Sequence, residues 1–388
     1  MRLIATVARG LEEAAAGEIR ALGLPVLSVR PGAVEFRGRE EEGWRACLHL
    51  RSARRVLLPL TAFEASSAEA LYEGAREIPW EERLTPRHTF AVEASVEGAP
   101  VSHSGFAALK VKDAAADRLR DRFGARPDVD RKDPDVKIQA RWRGSRVEIS
   151  LDLSGGPLHK RGYRVRSVTA PLNETTAAGI LLLLGYDGTV PFSDPFCGSG
   201  TFAVEAALLA SGTAPGLLRD RPFGFERWPG FRPARWARIR EEAAARVTRP
   251  ACRIAASDRD PEAVAAARRN AEKAGMASFI AFSAADVRQW RPPGEGGILA
   301  CNPPYGDHAG AGEDLPALYR DLGDVLKRRG AGWTAAILCG DPALLKCVGL
   351  RTSRRVPLWN GPLECRLHVY RLVEGTFRSR SAPASSPG

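Results

Sequence analysis

Two short stretches of this chain carry residue types whose spacing could do chemistry. In the first, ILACNPPYGDHAG (298–310), an apolar run stops at Asn302 and is followed by Pro303, Pro304 and Tyr305. Proline fixes φ and removes an N–H donor, so the carbonyls near Asn302 and Pro303 are held as acceptors with no adjacent amide competing for them. The side-chain oxygen of Asn302 adds an acceptor, and Tyr305 offers a ring face. Such a site suits a planar ring bearing an exocyclic amine. Its two amine hydrogens are accepted and the ring stacks on tyrosine. The nitrogen lone pair, otherwise delocalised, is freed for attack on a sulfonium methyl. Positioning and electrostatics would supply the catalysis.

The second stretch, SDPFCGSGTFAVEAA (193–207), places an acid, Asp194, at a strand end, then a glycine loop, then a helix. Gly198, Gly200 and Ala203 formally fit the dinucleotide fingerprint. A phosphate-cradling P-loop is excluded because no Gly-Lys-Ser/Thr follows. A nicotinamide dinucleotide is disfavoured because the acid expected about 20 residues on is missing from SGTAPG. A third reading makes Asp194 the acceptor for the amino group of an amino-acid-like cofactor. The glycines then let backbone N–H groups approach its carboxylate at a helix N-terminus. S-adenosylmethionine requires that geometry. Further on, Asp258 ends the strand CRIAASD, where it can hold two ribose hydroxyls, and Asp286 ends FSAAD, where it can accept from an adenine amine. Asp260-Pro261 reads as an N-cap with proline at the first helical position.

These residues need a particular scaffold. Apolar strands alternate with Ala-rich helices after residue 166, which predicts a doubly wound, Rossmann-like α/β sheet. Four polar residues then close four successive strands at their C-terminal ends, where open α/β sheets bind ligands. The apolar GILLLLG (179–185) reads as a buried helix. Before residue 166, strand–helix–strand–strand–helix–strand over 1–65 predicts a ferredoxin-like α+β unit. A second unit over 66–166 holds a basic helix and a strand pair. The organisation expected is thus 1–65, 66–166 and 167–375, with a disordered Ser/Pro tail at 376–388.

Composition limits the function classes. Sixteen Lys/Arg face nine Asp/Glu between 108 and 166, so +7 of the net +11 sits in 59 residues. That excess reads either as a solvated face or as a phosphate-backbone footprint. Seven cysteines without a C-x-x-C, and six histidines without H-E-x-x-H, favour neither disulfides nor a metal. Cys197 and Cys301 could act as nucleophiles toward a pyrimidine, but they read as buried spacers. No signal peptide or membrane span is read, so a cytoplasmic location is expected. The segment 219–240 packs seven arginines among five aromatics. It suits either a core-capping loop or stacking of splayed bases.

DPFCGSGT, CNPPYG and the intervening acids resemble class I methyltransferases of exocyclic amines. FAALKVKDAAADRLR, RPDVDRKDPDVKIQARW, ISLDLSGGPLHKRGYR, APLNETTAAGILLL and NGPLECRLHVY resemble the THUMP-containing guanine-N2 RNA methyltransferases, those of 23S ribosomal RNA above all. The resemblance implies a seven-stranded class I methyltransferase domain behind a ferredoxin-like unit and an RNA-binding THUMP domain. It implies S-adenosylmethionine as cofactor and guanine N2 in 23S RNA as target. The cofactor would be held by Asp194, the 197–201 loop, Asp258 and Asp286, and the base by Asn302 to Tyr305. RNA contacts are expected from Lys110, Lys112, Arg131, Lys132, Lys160, Arg161 and Arg164. Asn173 stands where that family commonly has lysine. Transfer RNA is the alternative substrate. A glutamine methyltransferase, which would not need the basic segment, and a non-catalytic assembly factor are more distant readings.

Overall fold

The computed structural model describes residues 1–166, 172–306, 314–361 and 363–374. The tail expected at 376–388 lies outside them, as do residues 307–310 of the NPPY stretch. Two seven-stranded sheets organise the chain. The first holds β1 (Arg2–Val7), β2 (Val26–Arg30), β3 (Ala33–Arg37), β4 (Ala53–Glu64), β5 (Phe90–Glu97), β6 (Val136–Arg143) and β7 (Arg146–Asp152). Its order is β2-β3-β1-β4-β7-β6-β5. Helices α1 (Glu12–Ala21), α2 (Glu40–His49), α3 (Ala68–Arg76) and α4 (Ser104–Phe123) accompany it.

The sheet does not stop at the boundary expected at residue 65. The twelve-residue β4 has β1 on one edge and β7 on the other, with Leu57 opposite both Ile4 and Asp152. Two ferredoxin-like halves therefore share one hydrogen-bonded sheet, and neither leaves an open edge at the join.

The second half runs through α5 (Glu174–Leu183), β8 (Phe192–Asp194), α6 (Thr201–Ala210), α7 (Pro233–Ala244), β9 (Ile254–Asp258) and α8 (Pro261–Lys273). It continues with β10 (Ile280–Ala284), β11 (Gly297–Cys301), α9 (Leu315–Arg329), β12 (Trp333–Cys339), α10 (Pro342–Cys347), β13 (Arg354–Asn360) and β14 (Leu363–Arg371). The order is β10-β9-β8-β11-β12-β14-β13. The first five are mutually parallel, and β14 runs antiparallel to both β12 and β13.

The strand period of two sorts side chains to two cores. In β11, Ile298 and Ala300 pack with α5, α6 and α8 residues such as Ile180, Val204 and Ala267. Leu299 and Cys301 pack on the other face with Leu318, Leu322 and Leu344 of α9 and α10. Burial on both faces makes these strands near-continuously apolar. The GILLLLG stretch lies largely in α5 as read, with Gly179, Ile180 and Leu181 buried and Leu182–Leu184 half-buried. The sequence reading missed β13, because Pro357 argues against a strand. Here β13 is an edge strand paired only with β14, which is where proline is tolerated.

Segment 219–240 resolves the open choice about its aromatics. Phe223, Phe225, Trp228 and Trp236 are buried in the first core. Phe225 stacks on Trp44 of α2 at 5.1 Å and 13°, and meets Trp236 edge-on at 5.0 Å. These rings clamp the second half onto the first and are closed to bases.

Candidate active site

The chain runs β8, β9, β10 to one side and then returns to β11 and β12 on the other. The reversal falls between β8 and β11, a topological switch point of the kind that opens a crevice. A cavity of about 290 Å³ occupies it. Asp194, the loop residues Cys197, Gly198, Ser199 and Thr201, Asp258, Asp286 and the whole of Asn302–Pro303–Pro304–Tyr305 line it. Gly200 belongs to the same loop and is absent only from the lining.

Each group has a local cause. Gly198 and Gly200 take φ of +49° and +84°, and a Cβ at Gly200 would stand 2.9 Å from that of Ala267 in α8. Glycine thus permits both the turn and the close approach of helices. Gly200 is also the N-cap of α6 and offers no side-chain acceptor. The positive end of that helix and its N–H groups are left for an anion. The loop is stapled to β9: Cys197 N–H donates to the Ser257 carbonyl at 2.9 Å, and Gly198 N–H to Asp258 Oδ2 at 2.9 Å. Asp260 N–H donates to Asp258 Oδ1 at 3.0 Å. Asp260 itself caps α8 through Glu262 N–H, with Pro261 in the first turn, as its sequence position indicated. Asp286 accepts from the N–H of Arg288 at 2.8 Å.

Asp194 is 2% exposed and accepts one hydrogen bond, from Phe196 N–H at 3.1 Å. Burial first, and then the neighbouring Asp258 charge, push its pKa well above the carboxylate range. Asp258 is pushed up too, chiefly by burial. Asp194 and Asp258 face one cavity, with Arg259 beside Asp258, and an ammonium group placed there would relieve the buried charge of Asp194. The Oδ1 of Asn302 is buried with no partner among the described residues, so it has capacity to accept from a donor that a ligand brings. Each carboxylate oxygen has two lone pairs, so Asp258 keeps acceptor capacity for hydroxyls. The site therefore fits a nucleoside carrying an amino acid.

The tyrosine is held from behind. A Cβ at Gly340 would stand 2.7 Å from Tyr305 Cε2, and the Tyr305 hydroxyl lies 3.5 Å from Cys365 Sγ on β14. The Pro304 carbonyl accepts from the Tyr319 hydroxyl at 3.4 Å. Burial raises the thiol pKa of both Cys197 and Cys301. A raised pKa disfavours a thiolate nucleophile at either position; Cys301 is packed in the core under α9, while Cys197 lines the cavity.

The expected RNA contacts divide. Lys112 and Arg131 line one groove of about 330 Å³ between α4 and β5. Lys110 stands over the Phe106 ring, and Lys132 and Lys160 are exposed. Arg161 does not face solvent as expected, and Arg164, half-buried, has its donors committed within the chain. Arg161 is 2% exposed, and its donors go to Glu205 Oε1 at 3.4 Å and to the carbonyls of Leu158 and Arg51. Arg164 donates to Glu174 Oε1 at 2.7 Å, Ser199 Oγ at 3.1 Å, Thr201 Oγ1 at 3.0 Å and the Leu172 carbonyl at 2.9 Å. It braces the 197–201 loop from the linker. Sequence reasoning missed that role because charge density cannot see a partner. Asn173 caps α5 through Thr175 N–H.

No helix among the described residues is long and apolar enough to cross a membrane. Comparison with known proteins fits this geometry. Residues 161–369 match the family described as RMKL-like, methyltransferase domain, residues 65–152 match the THUMP domain, and residues 2–57 match the RlmL ferredoxin-like domain. The ribosomal RNA large subunit methyltransferase K/L of Syntrophotalea carbinolica is 41% identical over 99% of this chain and 55% of its own length. Its namesake from Stutzerimonas stutzeri is 40% identical over 97% and 53%. The chain spans about half the length of the curated relatives it matches. A protein assigned as a methyltransferase and solved with SAH superposes with a TM-score of 0.87 at 30% identity, over 97% of this chain and 99% of its own. One from Listeria monocytogenes, assigned as an N6-adenine-specific DNA methylase, gives 0.85 at 30% identity, over 96% of each chain.

Proposed function

Since the chain belongs to the family of RMKL-like methyltransferase domains, we propose that it methylates the exocyclic N2 of a guanosine in 23S ribosomal RNA. S-adenosylmethionine is the methyl donor; when bound, it supplies an electrophilic methyl on a sulfonium. Asp194 and the uncapped start of α6 hold opposite charges of an amino-acid moiety, Asp258 accepts from ribose hydroxyls, and Asp286 accepts from an adenine amine. The observation that carries the reading is the buried Oδ1 of Asn302, without a partner among the described residues, in the same cavity as those acids. It accepts one hydrogen of the target amine, a fixed main-chain carbonyl of the motif accepts the other, and the pinned ring of Tyr305 stacks the base. Drawing both hydrogens toward acceptors would localise the nitrogen lone pair for in-line attack on the methyl: N–C would form as S–C breaks, the donor leaving as SAH and one amine proton passing to solvent. No residue of the chain forms a covalent bond.

The large-subunit RNA named for the full-length relatives and the matched THUMP domain support RNA as substrate. Purified protein incubated with methyl-labelled S-adenosylmethionine and unmodified 23S transcript should yield labelled N2-methylguanosine after nuclease digestion and mass spectrometry. Label in N6-methyladenosine, or only in transfer RNA, would overturn the assignment of base or of substrate respectively.

A further inference from the structure

A cleft of about 550 Å³ lies between the N-terminal sheet and the β13–β14 hairpin, apart from the cofactor cavity. Resting on the reading of this chain as an RNA-modifying enzyme, we propose that this cleft is a track for single-stranded RNA flanking the target nucleotide. Its phosphates lie on Arg9, Arg54 and Arg141, and one base stacks on Trp359.

The cations come first. Arg9, Arg54 and Arg141 all line the cleft and are all exposed. Among the described residues, the side chains of Arg54 and Arg141 make no ion pair or hydrogen bond, and that of Arg9 makes only a contact with a ring. Many other surface arginines are paired: Arg76 with Asp121, Arg227 with Asp133, Arg238 with Glu242. The one acid lining the cleft, Glu97, is taken by Arg143 at 3.3 Å. Three uncompensated guanidiniums converge from separate parts of the chain, the loop after β1, the start of β4, and β6. Three cations facing one cleft give it a positive field that suits a polyanion.

The aromatic is the second observation. Seven of the eight tryptophans are buried: Trp44, Trp80, Trp142, Trp228, Trp236, Trp290 and Trp333. Trp359 alone is not, and it lines this cleft with the Arg9 guanidinium 5.8 Å from its ring centroid. A ring left partly open beside a guanidinium plane is a stacking platform for an unpaired base.

The third is rigidity and direction. At Gly10, φ is +91°, and a Cβ would stand 2.2 Å from the Pro357 carbonyl oxygen of β13. The two halves meet backbone to backbone beside the cleft, so its width is set. Leu358, next to Trp359, pairs with Cys365, whose sulfur touches the Tyr305 hydroxyl. The hairpin thus joins the cleft wall to the residue proposed to hold the target base.

The test uses the full chain and a fluorescein-labelled oligouridylate, with affinity followed across salt concentrations. Single-strand binding loses about 0.7 in logarithmic salt slope per phosphate contact. The triple variant Arg9→Ala, Arg54→Ala, Arg141→Ala should therefore flatten the slope by about 2. Trp359→Ala should weaken binding roughly tenfold with the slope unchanged, and Trp359→Phe should recover most of it. SAH affinity and melting temperature should match wild type in all variants, which shows them folded. Wild type that fails to bind RNA would sink the functional reading itself. Wild type that binds while the variants keep its slope and affinity would overturn the cleft and leave that reading intact.

Discussion

Asp194 and Arg161 stand equally deep, each about 2% exposed, and both were singled out from sequence as site residues. Their surroundings are opposite. Arg161 spends its donors on Glu205 and two carbonyls, joining the linker to α6 and to the first half. Asp194 has one backbone hydrogen bond, a like-charged neighbour and a cavity. Asn302 sides with Asp194, its Oδ1 buried and unmatched. Depth and charge are shared by brace and site. What separates them is whether the chain itself supplies the partners. A buried polar group left wanting beside a cavity raises the apo energy unless a ligand completes it.

That contrast can be broken from either side. The largest effect is expected at the brace. Arg161→Ala leaves buried Glu205 with Arg51 as a cationic neighbour but without its Arg161 ion pair, and should cost up to about 3–5 kcal/mol, the range of broken buried pairs. Urea unfolding measures it, and a loss under about 1 kcal/mol, set against that range, would mean the network is solvated. Next is Asn302→Ala, which removes an acceptor used only when the amine is present. The rate should fall at least ~100-fold, in the range of other preorganised polar groups, while SAH affinity stays near wild type. Single-turnover methyl transfer reads the first and calorimetry the second. A parallel fall in both would make Asn302 a structural residue.

The smallest and sharpest effect concerns pH. Asp194 has its pKa raised in the folded protein. Its contribution to stability is therefore fully present below its unfolded pKa and is lost as pH rises through the folded value. Apo protein should lose stability above the ordinary carboxylate range. Asp194→Asn should melt above wild type at pH 8, with the difference shrinking toward pH 4, and should bind SAH more weakly. Identical pH slopes for the two proteins would show that Asp194 is already compensated.

The same contrast explains what could be read in advance. Strand ends at Asp194, Asp258, Asp286 and Asn302 were legible because a parallel strand closing on a polar residue leaves few bland explanations, and the structure gathers all four round one cavity. The doubly wound sheet was legible from its apolar strands. Pairing was not. Nothing local says that β4 joins two ferredoxin-like halves, or that Pro357 sits in an edge strand, since both depend on which strands meet. Arg161 and Arg164 were misplaced for the same reason: within a basic segment, a residue committed to Glu205 or to Ser199 looks like one waiting for phosphate. The 219–240 aromatics remained ambiguous until Trp44 appeared beneath them.

The central claim is that the crevice at the strand ends takes up an amino-acid-bearing nucleoside. Calorimetric titration of SAH into wild type and Asp258→Ala addresses it most directly. One site per chain in wild type, weakened at least ~10-fold by losing a charge-assisted acceptor pair, is the predicted result. No heat with wild type, or equal affinity in the variant, would contradict it.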